Sequence, residues 1–396
     1  MKIRILFVDD EKNILQGLKR MLRRQRNEWD MAFAEGGVEA LEILAEQPFD
    51  AVVTDMRMPG MSGAQLLDEI KIKYPDMVRF VLSGYSDQEM VMRSVGPSHQ
   101  YMAKPCELEL LNSHLTGALA LRKLLGSEAL RTIVTNMTSL PCMPAIYQAV
   151  VEELQSENVS LVSVGKLVEQ DMGMATKILQ LVNSAYFGIG RNVASPAEAA
   201  NYLGLDVLKS LVLSEGVFSQ FDPEVVKALS LDAVKYRSLA VANAARAIAK
   251  AENADDKIVD QAYLAGLLHE MGSMVLAANL PDDYLRACEL VKQESIDILQ
   301  AEKKVFKTTH AEVGAYVLGL WGIDDDVVTA IAYHHHPEDF PDEKFSALTA
   351  VYIASTCMSA NEDLTEAGMK YLESIGMSER LPVWQALCSE PAEDAA

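Results

Sequence analysis

The sequence predicts an α/β fold, a doubly wound five-stranded parallel sheet, followed by an all-α domain. Two observations carry this. Over the first 125 residues, short apolar runs alternate strictly with segments of helical periodicity, the pattern of a parallel sheet wrapped by helices. From Leu140-Pro141 onward strand signals nearly vanish, and segment after segment repeats apolar residues at helical spacing.

Taken in order, Ile3 to Val8 reads as a strand running into the acidic cluster Asp9-Asp10-Glu11. Asn13 to Arg26 has helical periodicity through Ile14, Leu15, Leu18, Met21 and Leu22, with Lys19, Arg20, Arg23 and Arg24 on a solvated flank. A strand at Met31 to Ala34 and a helix at Val38 to Ala45 lead to Ala51-Val52-Val53-Thr54-Asp55, an apolar run that ends in one acid before the Pro59-Gly60 turn. Then come a helix at Ala64 to Lys73, a strand at Val78 to Leu82 ending in Ser83-Gly84, and a helix near Asp87 to Ser94. A short strand at Gln100 to Ala103 ends in Lys104-Pro105, and a helix spans Glu107 to Leu125.

Gly126 to Thr138 reads as a helical connector, stiff enough to transmit orientation. Helices follow at Pro144 to Leu154, Leu161 to Glu169 and Ala175 to Val182. Ser195-Pro196-Ala197-Glu198 is a capping box opening a helix that stops at Gly204, and Asp206 to Phe221, Asp232 to Ala249 and Asp260 to Leu268 continue the series. Thr309-His310-Ala311-Glu312 is a second capping box, leading into Val313 to Trp321; Asp326 to His334 and Phe345 to Met358 follow. The domain, set at residues 139–360, thus holds about ten helices. A tail at 361–396 has short helices at Met369 to Ile375 and Val383 to Leu387, with Trp384 packed on the body, and an acidic end.

Composition narrows the function classes. Hydrophobic residues are 49% and charged residues 23%, as in globular proteins. No apolar run is long enough to span a membrane, and Met1-Lys2-Ile3-Arg4 enters strand-like sequence directly, so the expectation is a cytoplasmic protein. Five scattered cysteines without a C-x-x-C pair fit reduced thiols. Met1 to Leu125 holds 16 basic and 18 acidic residues; the remainder holds 19 and 39, a net charge of −20. That acidity repels polyanions and argues against direct nucleic-acid binding.

The strand ends of the first domain assemble Asp9 with Asp10, Asp55, Ser83 and Lys104. Clustered carboxylates favour a hard divalent cation such as Mg²⁺, while a lysine and a hydroxyl suit the oxygens of a phosphoryl group. Asp55 is then a carboxylate nucleophile. Together with Asp55-Met56-Arg57-Met58-Pro59-Gly60-Met61-Ser62-Gly63, Ser83-Gly84, Tyr101 and Lys104-Pro105, this resembles the receiver domain (flavodoxin-like) of bacterial two-component response regulators over residues 1–125. The resemblance implies that Asp55 accepts a phosphoryl group from a sensor histidine kinase. It implies that Asp10, Asp55 and the backbone carbonyl of Arg57 bind Mg²⁺, with Asp9 helping through water. Lys104 and Ser83 would hold the phosphoryl oxygens, and Tyr101 would be the aromatic switch. Arg57 and Tyr85 stand where such domains vary and tune the lifetime of the phosphate.

Five of the seven histidines fall in the helical domain: His269, His310, His334, His335 and His336; His99 and His114 are isolated. Histidines with a carboxylate can ligate a divalent metal and make a hydrolase, whereas a run of histidines at a helix end is also where a cation is favoured. The segments Leu140 to Pro144, Gln170-Asp171, Leu181 to Gly188, Leu203-Gly204-Leu205, Leu267 to Gly272, His310 to Gly314 and Tyr333 to Pro337 resemble the HD superfamily of metal-dependent phosphohydrolases, and more closely its HDOD (HD-related output domain) branch. Measured against the catalytic pattern, Arg237 stands in place of the first histidine ligand, Glu270 in place of the doublet's Asp, and Ser355 in place of a late Asp. A guanidinium cannot ligate a cation and repels one. His269, Glu270, His310, His334 and His335 therefore read as a vestigial metal set, and the resemblance implies a docking module with no confident cofactor.

The expected function is a response regulator in which phosphorylation at Asp55 alters contacts between the domains, or dimer pairing, and so binding to a downstream signalling protein. The rivals are a phosphorylation-controlled metal-dependent phosphodiesterase acting on a cyclic dinucleotide and, less favoured by charge, a nucleic-acid-binding regulator.

Overall fold

The computed structural model describes residues 2–83, 98–104, 108–121, 125, 128–137, 140–156, 158–183, 193–213, 221, 226–227, 229–340, 344–359 and 364–389. The helix expected near Asp87 to Ser94, together with Tyr85, Pro105 and residues 184–188 of the 181–188 segment, lies outside them. The chain divides into two compact units. One is Met1–Ser139 with Gln180–Asn192 and Gly319–Gly322; the other is Leu140–Leu179, Val193–Leu318 and Ile323–Ala396.

The first unit is built on five parallel strands, β1 (Ile3–Val8), β2 (Trp29–Ala34), β3 (Ala51–Asp55), β4 (Val78–Ser83) and β5 (Gln100–Ala103), in the order β2-β1-β3-β4-β5. The chain runs from β1 to its neighbour β2, crosses back past β1 to β3, and then adds β4 and β5 in order, so it winds outward from β1 in both directions. The β1/β3 pair is therefore where the order reverses, and ligand chemistry in open α/β sheets sits outside the carboxyl ends of the strands at such a point. The register aligns those ends: Val8 lies opposite Thr54, Asp55 opposite Leu82, and Ser83 opposite Ala103.

Residues Ala51 to Asp55 are all buried, as a strand covered on both faces requires. The core on one face joins Leu6, Val8, Val52 and Val81 to Ala40, Leu44, Leu66, Leu67 and Ile70 from the helices Gly37–Glu46 and Gly63–Lys73. The single helix expected over Asn13 to Arg26 is instead an α-helix over Lys12–Met21 and a 3₁₀ helix over Leu22–Asn27. The tighter winding keeps Leu22 fully buried and delivers Glu28, whose carbonyl accepts from the Ile3 amide, to the start of β2.

Arg79, on β4, is fully buried, and its guanidinium donates to the carbonyls of Met77 (3.2 Å) and Thr135 (2.7 Å). His99 accepts from the Arg79 amide at Nδ1 (2.9 Å), and its Nε2 lies 2.7 Å from the Thr135 carbonyl. Burial holds the His99 ring well below its ordinary pKa, so it is neutral. The helix Glu128–Asn136, which carries Thr135 in its last turn, is thereby tied to the sheet edge, with a cation at the end where the helix dipole favours one.

In the second unit the regular elements among the described residues are all helices. Both expected capping boxes have their hydroxyl contact: Ser195 Oγ accepts from the Glu198 amide (3.2 Å) and Thr309 Oγ1 from the Glu312 amide (3.3 Å). The Glu312 carboxylate in turn accepts from the Thr309 amide (2.9 Å). Gly204 has φ +73°, which breaks the Pro196–Leu213 segment into two helices at the expected place. Met271–Asn279, Pro281–Glu294 and Ile298–Phe306 are helices the periodicity did not resolve; Met271–Asn279 is buried nearly all round and so has no stripe to read. Trp384 is fully buried and donates Nε1–H to Glu252 (2.8 Å), a carboxylate also held by Arg380, so the tail helix Leu381–Ser389 packs on the body.

Gly63 opens the helix after β3 with its amide on the Met56 carbonyl, and a Cβ there would stand 2.0 Å from the Asp55 carbonyl oxygen. Gly63→Ala is expected to lower unfolding free energy by about 1–3 kcal/mol, the range for overpacking. Urea denaturation would register this as a lower midpoint at unchanged slope.

Candidate functional site

The strand-end site takes shape because β1 and β3 are adjacent and in register. Asp9 follows β1 and is 2% exposed; Asp55 closes β3 and is 8% exposed. Lys104, immediately after β5, reaches across β4 and places Nζ 2.6 Å from Asp9 Oδ2 and in direct hydrogen bond with Asp55 Oδ1. The second Asp55 oxygen accepts from the Arg57 amide (2.8 Å), and Asp9 Oδ1 from the Glu11 amide (2.9 Å). Both carboxylates are thus oriented by the turn that leaves their own strand. Asp10 is exposed at the same end of the sheet. Ser83 lies on β4, the strand next to Asp55, and Tyr101 on β5, one strand farther out.

Burial pushes the Asp55 carboxyl up from its ordinary value, against the hydrogen bond and charge of Lys104, which pull it down. For Lys104, burial favours the neutral amine, but Asp55 and Asp9 outweigh it and raise the pKa. The ammonium is therefore retained. Three acids, Asp9, Asp10 and Asp55, face one ammonium, which leaves excess negative charge on hard oxygen donors. That donor set fits Mg²⁺, the cation that receiver domains bind.

In the helical unit, His269, Glu270, His310, His334 and His335 do come together. His269, His310 and His334 are at most 1% exposed and Glu270 is 7% exposed. The ring centroids of His310 and His334 are 5.5 Å apart, of His334 and His335 4.0 Å, and of His269 and His334 5.1 Å. Arg237 Nη1 lies 3.4 Å from Glu270 Oε1, and Ser273 donates its hydroxyl to Glu270 Oε2 (2.7 Å). Burial works to raise the Glu270 carboxyl, yet His310, His269 and Arg237 overcome it and hold the group far below the carboxylate range. Ser355 hydrogen-bonds the Tyr352 carbonyl of its own helix (3.1 Å), and exposed His336 is paired with Glu338 (3.5 Å).

One participant escaped the sequence reading. Glu302 is fully buried, and its carboxylate accepts from the His310 amide (2.8 Å) and lies 2.9 Å from His310 Nδ1. Its signal was a carboxylate on the apolar face of the Ile298–Phe306 helix, beside Ala301 and Phe306. Gly272 belongs here too: a Cβ on it would stand 1.9 Å from the His310 carbonyl oxygen, so only glycine lets the two helices touch. Burial works to lower His310, but Glu302 and Glu270 push it up to about 9, whereas burial drives His269 down to about 4 and His334 and His335 well below their ordinary value. In this state His310 is an imidazolium donating Nδ1–H to Glu302 and Nε2–H to His335 Nε2 (3.1 Å).

With this geometry in hand, comparisons with known proteins are specific. The HDOD domain family model matches residues 140–337, half of the chain, and the response regulator receiver domain model matches 5–116. An uncharacterized protein of Treponema pallidum is 25% identical over 224 residues, 57% of this chain and 43% of that protein. A cyclic di-GMP phosphodiesterase of Thermotoga maritima is 32% identical over 116 residues, 29% of this chain and 30% of that protein. The chain therefore spans less than half the length of either relative. The crystal structure of the MmoQ response regulator from Methylococcus capsulatus has TM-score 0.50 and 23% identity, covering 65% of this chain and 96% of that one, a likeness of fold. No helix among the described residues is long and apolar enough to cross a membrane.

The buried imidazoles predict a stability maximum with a definite sign on each side. His269, His334 and His335 stay neutral in the fold but take protons when unfolded, so stability falls as pH drops below about 6.5. His310 has a folded pKa above its unfolded one, so its contribution is complete below about 6.5 and is lost as pH rises through about 9. Chemical denaturation across pH 5 to 9.5 is expected to show both limbs, and His310→Gln to flatten the alkaline one.

Proposed function

Because the chain belongs to the HDOD domain family and carries a response regulator receiver domain ahead of that module, we propose that it is a phosphorylation-driven regulator whose output is protein–protein contact. Asp55 is its phosphoacceptor. The observation that carries this reading is the pairing of buried Asp9 and Asp55 at the β1/β3 switch point, with Lys104 bound to both. In the transfer, an Asp55 oxygen attacks the phosphorus of a phosphohistidine on a sensor histidine kinase. The P–N bond breaks, its electron pair returns to the imidazole, and an aspartyl phosphate remains. Asp10, Asp55 and the Arg57 carbonyl, with Asp9 through water, would hold Mg²⁺, which would supply positive charge to offset the negative charge of the transferring group.

Lys104 supplies the donor on the other side and follows the charge from carboxylate to phosphoryl oxygen. The new group adds about −1.5 to −2 charges. Closure of Ser83 and Tyr101 over it shifts the population of the domain toward its active form. That shift changes contacts between the domains or between copies of the chain, and the HDOD domain presents the outcome to a downstream protein.

The helical module acts without hydrolysis in this reading, because Arg237 sits against Glu270 where the catalytic pattern would have a metal ligand. The relationship to a phosphodiesterase of T. maritima motivates the alternative, a phosphorylation-controlled enzyme on a cyclic dinucleotide.

Incubation of the full chain with acetyl phosphate and Mg²⁺ is expected to give an acid-stable, hydroxylamine-labile adduct on Asp55. Asp55→Asn should abolish it, and Lys104→Ala should leave labelling slower. Normal labelling of Asp55→Asn would defeat the proposal. Turnover of a cyclic dinucleotide that disappears in His310→Ala would replace the output half of it with the enzyme reading.

A further inference from the structure

Two cysteines that lie far apart in the sequence meet in the helical domain. Cys357 is the last residue of the Ala347–Cys357 helix, and Cys388 sits in the last turn of the tail helix Leu381–Ser389. The tail helix is fixed on the body at Trp384, whose ring centroid lies 6.0 Å from that of Phe345 and whose Nε1–H reaches Glu252. Cys388 stands four positions after Trp384 and so on the same face of the helix. There it meets Cys357, and the two thiols share a hydrogen bond. Both are half-buried, closed enough to keep their mutual geometry and open enough for a small oxidant to reach them.

The hydrogen bond makes the pair unequal. Cys357 accepts from the Cys388 S–H, and this pulls its thiol below the ordinary value against the effect of burial. The same bond, helped by burial, holds Cys388 protonated. Both residues sit at the C-terminal ends of their helices, where the dipole disfavours an anion, so the difference comes from the partner thiol. Burial pushes the Cys142 and Cys288 thiols up, with Asp171 adding to it at Cys142, which leaves them poor nucleophiles.

We propose that Cys357 and Cys388 form an oxidation site that a hydroperoxide converts into an internal disulfide. The Cys357 thiolate attacks the terminal oxygen of the hydroperoxide. The O–O bond breaks, the departing oxygen takes a proton and leaves as alcohol, or as water from hydrogen peroxide, and Cys357 becomes a sulfenic acid. The Cys388 sulfur then attacks the Cys357 sulfur, and its proton leaves with the displaced hydroxide as water. The two sulfurs lose two electrons and the peroxide gains them. The sulfurs close from hydrogen-bond contact to about 2.05 Å. A thiolate beside a resolving thiol is the arrangement that condenses a sulfenic acid to a disulfide. The bond staples the tail helix to the end of Ala347–Cys357, and a dithiol reductant reverses it by exchange. None of the groups in the phosphorelay reading takes part, and the site does not depend on that reading.

The test treats the full chain, reduced with dithiothreitol and desalted, with one equivalent of hydrogen peroxide. Free thiols are expected to fall by two per chain, an unreduced digest to contain a Cys357–Cys388 linked peptide, and the thermal unfolding midpoint to rise, all reversed by dithiothreitol. Cys388→Ser should stop at a sulfenic acid on Cys357 that dimedone traps, whereas in Cys357→Ser trapping at Cys388 should be at least about tenfold slower. The peptide map reads the wild-type chain, so it decides whatever the variants do. Absence of that linked peptide, cross-links between chains in its place, or trapping at Cys388 in Cys357→Ser as fast as at Cys357 in Cys388→Ser would overturn the proposal.

Discussion

A single ammonium, that of Lys104, stands between the buried carboxylates of Asp9 and Asp55, and the first domain is arranged around that contact. Two acids at most 8% exposed cannot both stay ionised without a cation. Breaking a buried pair by removing one partner typically costs about 3–5 kcal/mol, so β5 must end where it does for β1 and β3 to keep their acids. Yet one positive charge leaves the acidic cluster unbalanced, and burial keeps Asp55 costly to ionise. The same desolvation that opposes an isolated carboxylate makes it responsive to a cation or an incoming phosphoryl group.

The helical domain meets the same constraint differently. The buried acids of its histidine cluster are matched inside the fold, Glu270 by Arg237 and Glu302 by His310. The acids of the histidine cluster are thus answered by side chains, whereas the strand-end acids of the first domain outnumber the single ammonium beside them. Among the imidazoles of that cluster, His310 is charged and held by Glu302, while His334 is neutral with its Nδ1 on the Ile331 carbonyl.

Much of the fold was legible because it depends on neighbours in the chain. Strand-helix alternation, the strand ending at Asp55, the cap at Thr309 and the break at Gly204 each follow from local periodicity or backbone preference. Where several elements crowd together the signal failed. Met271–Asn279 is buried on almost every side and carries no stripe, and the 3₁₀ turn over Leu22–Asn27 follows the packing of Leu22 and the join to β2 rather than a local periodicity.

The amino-acid sequence by itself determined which chemistry was available: acids, a hydroxyl and a lysine at successive strand ends, and histidines gathered in a helical second half. Only the tertiary structure decided which of them touch. Lys104 reaching both Asp9 and Asp55, Arg237 lying against Glu270, and Glu302 holding His310 all join residues from separate elements. Residue type and spacing encode what an element is and which face it shows. The distance between side chains on different elements is set by how those elements pack, and ionisation in a buried site follows that distance.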